Sequence, residues 1–244
     1  MKKSLFTLEK TEKLAADVFA LSFCGDTSGI VSPGRFVEIE LPGKFLRRPI
    51  SVADWGKGRL LLLVKEVGIG TNELVNSPIG TEFDMLTGLG NGFDISKAAD
   101  NTILAGGGIG IAPLYGLARR LTQNGIFPRI ALGFRSAADS FYADEFGKLG
   151  CEVRIATEDG SLGSKGFVTS LFDTDKSCYV FACGPLPMLK AIHSLPCVEG
   201  GQFSFEARMG CGFGACMGCT VRTADGCKRI CKDGPILFKE EIIW

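Results

Sequence analysis

Histidine is nearly missing from this chain. Of 244 residues only His193 is a histidine, which all but excludes imidazole acid–base chemistry. It follows Pro185-Leu-Pro-Met on a predicted helix, where a packing or surface role is expected. An excess of charge of one sign is missing too. Lys and Arg number 27, Asp and Glu 27, so the composition gives no reason to expect nucleic acid or an anionic membrane surface as a partner. No apolar run approaches the length of a membrane span, and the opening Met-Lys-Lys-Ser-Leu-Phe-Thr-Leu lacks the apolar core of a secretory signal. A soluble, cytoplasmic protein is expected.

Glycine (33 residues) and cysteine (10 residues) are abundant instead. Three cysteines, Cys211, Cys216 and Cys219, form a C-x4-C-x2-C run, and Cys231 follows. This is the plant-type [2Fe–2S] spacing. Such a cluster needs four thiolates and a backbone that curls closely around its sulfurs. Gly210 just before the first thiol and Gly212, Gly214 and Gly218 between the thiols permit that path. Disulfides fit poorly with five cysteines crowded into 211–231 of a chain without a secretory signal. A structural zinc site is the more serious alternative, but such sites usually combine two short cysteine pairs. Cys227 competes as fourth ligand; Cys231 is preferred because Lys232-Asp-Gly-Pro235 behind it forms a tight turn that can fix its sulfur.

The expected architecture is multidomain α+β, divided at 1–97, 98–198 and 199–244. The first part reads as short strands, Leu5–Lys10, Val18–Phe23, Phe36–Leu41, Ile50–Ala53 and Leu60–Val67, separated by turn residues. That pattern predicts a small antiparallel barrel. Within it, Arg47-Arg48-Pro49-Ile50-Ser51 offers an arginine for a phosphate and a serine for a flavin edge. Gly68-Ile69-Gly70-Thr71 runs into a predicted helix whose first N–H groups suit a pyrophosphate. An edge strand and an ordinary turn explain either stretch taken alone.

From residue 98 strand and helix patterns alternate, which predicts a parallel sheet. The strand Asn101–Ala105 leads through Gly106-Gly-Gly-Ile-Gly-Ile-Ala-Pro113 into a helix over Leu114–Thr122. A glycine-rich strand-to-helix turn is where doubly wound sheets bind a dinucleotide. The spacing is not G-x-G-x-x-G, so it is not a Rossmann fingerprint. Further strands are predicted at Ile130–Phe134, Cys151–Ala156 and Cys178–Ala182, the last leading into Cys183-Gly184-Pro185. Gly133-Phe134-Arg135-Ser136 ends a strand where an adenosine ribose is expected, and Arg135 leaves NAD and NADP both open. In the last part, Gly200-Gly201 is expected to be a linker, Gln202–Ala207 and Thr220–Thr223 to be short strands, and the cluster to staple a unit too small for much core. Phe238 and Trp244 are expected to dock on the body of the protein.

The order of these features resembles the ferredoxin–NADP reductase superfamily with a C-terminal [2Fe–2S] domain. It is most similar to the electron-transfer subunits of type B dihydroorotate dehydrogenases. The resemblance covers essentially the whole chain, and Glu206-Ala-Arg-Met-Gly-Cys211-Gly-Phe-Gly-Ala-Cys216-Met-Gly-Cys219 is its most specific piece. It implies FAD held by Arg48, Pro49, Ile50, Ser51, Lys65, Glu66, Val67, Gly70 and Thr71. NAD is implied at Gly107, Gly108, Ile109, Gly110, Pro113, Cys183, Gly184 and Pro185, with Cys183 near the nicotinamide. The cluster falls to Cys211, Cys216, Cys219 and Cys231, and no side chain is expected as a catalytic acid or base. Many superfamily members carry an aromatic residue where Ile50 stands; this chain departs there, as the dihydroorotate branch also does. The implied partner is an FMN-containing catalytic subunit that oxidises dihydroorotate, in a heterotetramer of two copies of each chain, docked at the cluster face. The alternatives are an NAD(P)H reductase component for a ferredoxin, sulfur-reducing or oxygenase acceptor, and a zinc-bearing redox sensor that is not an enzyme.

Overall fold

The computed structural model describes residues 1–244. The first six strands are β1 (Lys2–Lys13), β2 (Val18–Gly25), β3 (Phe36–Ile39), β4 (Arg48–Gly56), β5 (Arg59–Lys65) and β6 (Glu82–Leu89), with helix α1 (Ile69–Val75) before β6. They close into an antiparallel barrel in the order β1-β2-β5-β4-β3-β6. Alternation drives closure: Phe83 and Met85 of β6 point inward with Phe6 and Leu8 of β1, whereas Leu89, past a register shift against β3, packs with Phe36, Ile230 and Leu237. The Phe23 and Phe83 rings meet edge to face at 5.9 Å. Strand β1 is longer than its apolar run because both its edges are paired, Lys2 opposite Thr87 and Lys13 opposite Phe19. The alternation of β6 escaped the sequence reading.

The second unit contains β7 (Thr102–Gly107), α2 (Ala112–Gln123), β8 (Arg129–Phe134), α3 (Ala143–Lys148), β9 (Val153–Thr157), β10 (Ser164–Lys165), β11 (Cys178–Cys183), α4 (Leu186–His193) and β12 (Val198–Ser204). A hairpin follows, β13 (Thr220–Thr223) with β14 (Gly226–Arg229), and then β15 (Ile236–Phe238). The main sheet runs β10-β9-β8-β7-β11-β12-β15; all pairs are parallel except β12–β15. After β7 the chain steps outward to β10, then returns to β7's other side as β11. The topological switch point therefore lies between β7 and β11, at whose carboxyl ends ligands bind in such sheets.

One expectation needs correction. Gly200-Gly201 is no linker: both glycines lie inside β12, opposite Tyr179 and Val180 of β11. Glycine is accepted there because the Tyr179 ring and Val180 side chain occupy the space a Cβ would need. The thiol-bearing segment is an insertion, roughly 205–235, between neighbouring strands β12 and β15 of the nucleotide sheet.

The barrel and the sheet share one apolar core. Val18, Ala20, Ala53 and Leu63 of the barrel pack with Leu104, Leu114, Leu117 and Leu121. A polar seam borders it. The Arg120 guanidinium stacks 3.3 Å from the Trp55 ring centroid and donates to Asp54 Oδ1 and the Trp55 carbonyl, each at 3.1 Å. Arg119 pairs with the same aspartate.

Candidate flavin, nucleotide and cluster sites

Three groups of predicted residues can be followed into the structure. The first gathers at the start of β4. A Cβ at Gly70 would lie 2.4 Å from Arg48 Nε, so this guanidinium rests directly on the start of α1 and joins two motifs 22 positions apart. Thr71 sits inside the first turn and not at the cap. Its hydroxyl accepts the N–H groups of Val67 (2.9 Å) and Gly68 (3.2 Å) and donates to the Gly68 carbonyl (3.1 Å). Glu66 accepts from Asn72 Nδ2 at 2.7 Å. Ile50 and Ser51 continue β4 opposite Val37 and Phe36, and Pro49 faces Glu38. Val67 is largely exposed.

The second group surrounds a cavity of about 640 Å³ at the switch point. Gly107, Gly108, Ile109 and Gly110 form one wall, with Gly184 and Pro185 packed directly beside them: a Cβ on Gly184 would lie 3.1 Å from the Gly107 nitrogen. Lys65 and Asp17 enter from the barrel, paired at 3.2 Å. Gly133, Phe134, Arg135 and Glu158 line the far end. Gly110 must be glycine: a Cβ would stand 2.4 Å from the Cys183 carbonyl oxygen. Two predicted residues lie behind this wall. Pro113 is buried in the first turn of α2, where a missing N–H is harmless. The Cys183 thiol is also buried, and burial pushes it up to about 12, so it stays protonated.

Glu206 lines the same cavity while staying in contact with solvent, and partial desolvation there raises its carboxyl above the ordinary range. The sequence reading quoted it only within the cysteine motif. Its signal was available: a carboxylate just past the end of a strand in a parallel sheet.

The third group is the cysteine loop. Its thiols come together as two pairs, Cys211 with Cys216 and Cys219 with Cys231. Cys211 Sγ accepts the N–H of Ala215 (3.2 Å) and of Cys216 (3.5 Å); Cys219 Sγ accepts the N–H of Cys231 (3.4 Å). Burial pushes the Cys211 thiol up, but the N–H groups of Cys216, Phe213 and Ala215 outweigh it and bring the thiol down to about 6. Burial and the Cys219 thiol push Cys231 up to about 12. Two thiol pairs with N–H groups already turned onto sulfur are the donor set a two-iron cluster needs. Cys227 stands apart, exposed on β14 opposite Arg222.

The loop lies against the barrel. Gly212 has φ +75°, and a Cβ there would meet Glu38 Oε1 at 2.2 Å. Glu38 itself is buried, which pushes its carboxyl up to about 7. The strand pair β3–β4 thus touches the cysteine loop through Glu38 and carries Arg48–Ser51 beside it. The C-terminus docks as expected: Trp244 stacks on Phe205 at 5.7 Å, and His193 Nε2 lies 3.1 Å from the Lys239 carbonyl.

Residues 206–243 match the family described as the iron–sulfur cluster binding domain of dihydroorotate dehydrogenase B. A protein of Shouchella clausii (strain KSM-K16) named dihydroorotate dehydrogenase B (NAD(+)), electron transfer subunit, is 39% identical, covering 99% of this chain and 98% of its own. A Fusobacterium nucleatum protein of the same name is 38% identical, covering 97% and 96%. Among solved structures, an NADH-dependent reduced ferredoxin–NADP oxidoreductase studied for flavin-based electron bifurcation superimposes with a TM-score of 0.86. It is 31% identical and covers 98% of this chain and 90% of its own. With its thiol pairs, glycine-walled cavity and barrel in one connected arrangement, and at this identity over nearly its whole length, the chain belongs to the family of dihydroorotate dehydrogenase B electron transfer subunits.

Proposed function

We propose that this chain carries electrons from a partner subunit that oxidises dihydroorotate to orotate, and delivers them to NAD⁺ by way of a [2Fe–2S] cluster and FAD. The chemistry the bound groups supply is complementary: nicotinamide takes two electrons as hydride, the cluster one at a time, and flavin either way. The chain's own residues bind, space and insulate. Cys211, Cys216, Cys219 and Cys231 hold the cluster. Arg48 and Ser51 hold the FAD phosphates and ring edge, with Pro49, Ile50, Lys65, Glu66, Val67, Gly70 and Thr71 completing the site. Gly107–Gly110, Gly184 and Pro185 cradle the nicotinamide nucleotide, while Pro113 and Cys183 support that wall from behind. No side chain serves as an acid or base at the hydride step.

The observation that carries this reading is the double duty of β3–β4. Its Arg48–Ser51 segment bears the flavin motif, and Glu38, opposite Pro49, lies under Gly212 of the thiol loop. Neighbouring placement is what transfer between two bound groups requires. The partner carries FMN, docks at the cluster face in a complex of two copies of each chain, and works with this subunit in the cytoplasm. The test is co-purification through a tag on this chain, followed by dihydroorotate-dependent NAD⁺ reduction. Activity that needs an FMN-bearing partner supports the reading, whereas a complex with another partner and no such activity overturns it.

A second reading has one specific observation in its favour. The close structural likeness to a reduced ferredoxin–NADP oxidoreductase fits a reductase component serving another acceptor. NADH-dependent reduction of a free ferredoxin, without dihydroorotate activity in any complex, would select it.

A further inference from the structure

Arg229 and Asp233 bracket Cys231 in sequence, and neither belongs to the ligand set. Arg229 Nε donates to Asp233 Oδ2 at 2.9 Å and Arg229 Nη2 to Asp233 Oδ1 at 3.2 Å, a two-pronged pair. The Arg229 backbone N–H also donates to Asp233 Oδ2, at 2.9 Å. The remaining arm, Arg229 Nη1, crosses to the other thiol segment and donates to the Gly214 carbonyl at 3.1 Å. Gly214 lies between Cys211 and Cys216, and the stem of Lys232 covers it so closely that a Cβ there would sit 2.7 Å from Lys232 Cδ. The far end of the clamp is anchored too. Asn91, in the linker after the barrel, donates its side-chain amide to the Asp233 carbonyl (3.2 Å) and the Ile236 carbonyl (2.8 Å), and its backbone N–H to the Gly234 carbonyl (2.5 Å).

We propose that Arg229 and Asp233 are positioning residues for the cluster: together they fix the loop holding the Cys211–Cys216 pair against the turn holding Cys231. This rests on the cluster reading above. A two-iron cluster tolerates only a narrow range of separations between its thiolate pairs. Here the segments bearing them are joined by a planar fork and a carboxylate, with little apolar core beneath. The geometry needs both members. Lysine keeps the charge at 229 but cannot make two parallel bonds to Asp233 and a third to Gly214. Asparagine at 233 keeps the shape but loses the second charged acceptor.

The test uses the full chain purified without oxygen, with wild type, Arg229→Lys, Arg229→Met and Asp233→Asn compared. Iron per chain, the rate at which a chelator bleaches the visible absorbance, and the electron paramagnetic resonance spectrum of the dithionite-reduced protein are measured. Bound FAD reports on the rest of the fold. Loss of an outer-shell partner typically costs about 10- to 100-fold in metal retention. All three variants are therefore expected to bleach at least roughly tenfold faster, with altered resonance spectra and unchanged FAD. Wild-type bleaching and spectra in Arg229→Lys would overturn the proposal, because charge alone would then suffice. FAD lost in step with iron in Asp233→Asn would also overturn it, by showing a general structural role. Wild-type protein without iron or a resonance signal would fail the cluster reading itself, a result the variants cannot mimic.

Discussion

The seam between barrel and nucleotide sheet and the thiol-bearing insertion are held together by different physics. At the seam, apolar side chains from both units merge into one core, and the Arg120–Trp55 stack and Asp54 pairs only border it. The insertion has a much smaller apolar cluster around Cys219, Ile230, Cys231 and Leu237. What fixes it is directional: the Arg229–Asp233 fork, the Asn91 bonds and the thiol pairs. Burial at the seam keeps flavin and nucleotide sites in register whether or not they are filled. The insertion depends on its thiols being tied to metal, as small metal-stapled units do.

The sharpest way to break this contrast is at the fourth thiol. Cys231→Ser is expected to remove essentially all cluster iron and the red-brown colour, while Cys227→Ser keeps both. Iron content and visible spectra read the result, and the reverse outcome would reassign the ligand. Removing iron from the intact wild-type chain is the next test. Hydrogen exchange should rise by orders of magnitude over 206–235 and stay near its starting level in β7, β8 and β11. Uniform loss of protection would mean that the two regions do not differ as described.

A smaller effect is expected from Arg48→Ala. Losing one charge-assisted contact worth about 1.5–3 kcal/mol should weaken FAD binding roughly 10- to 150-fold, with cluster iron unchanged. Flavin content after dialysis measures it, and unaltered occupancy would remove Arg48 from the site. The remaining effect belongs to the seam. Arg120→Ala loses the ring stack and three hydrogen bonds, to Asp54, Gly116 and Trp55, and should cost about 2 kcal/mol. It should appear as a lower denaturation midpoint shared by barrel and sheet probes. Two separate transitions would show that the apolar core does not couple the units.

Much of this was legible in the chain itself. The thiol spacing, the glycine turn at 106–110 and Pro113 at the start of a helix are local signals, because each is a demand of backbone conformation on nearby residues. Other features were hidden for a common reason. Asn91 finds its Ile236 partner 145 positions away. Gly200-Gly201 looks like a linker until Tyr179 and Val180 of a neighbouring strand fill the space beside it. Glu206 is an ordinary charged residue until folding sets it at the rim of the cavity.

The sequence by itself determined the kinds of site, since thiol number and spacing, glycine-rich turns and strand–helix alternation follow from short-range chemistry. The tertiary structure alone decided how those sites relate: that the thiol segment is an insertion between β12 and β15, that its loop rests on Glu38, and that Arg229 and Asn91 hold it there. The reason is physical. Backbone preferences act over a few residues, whereas the packing and hydrogen bonds that set distances between sites join groups that only the closed fold brings together.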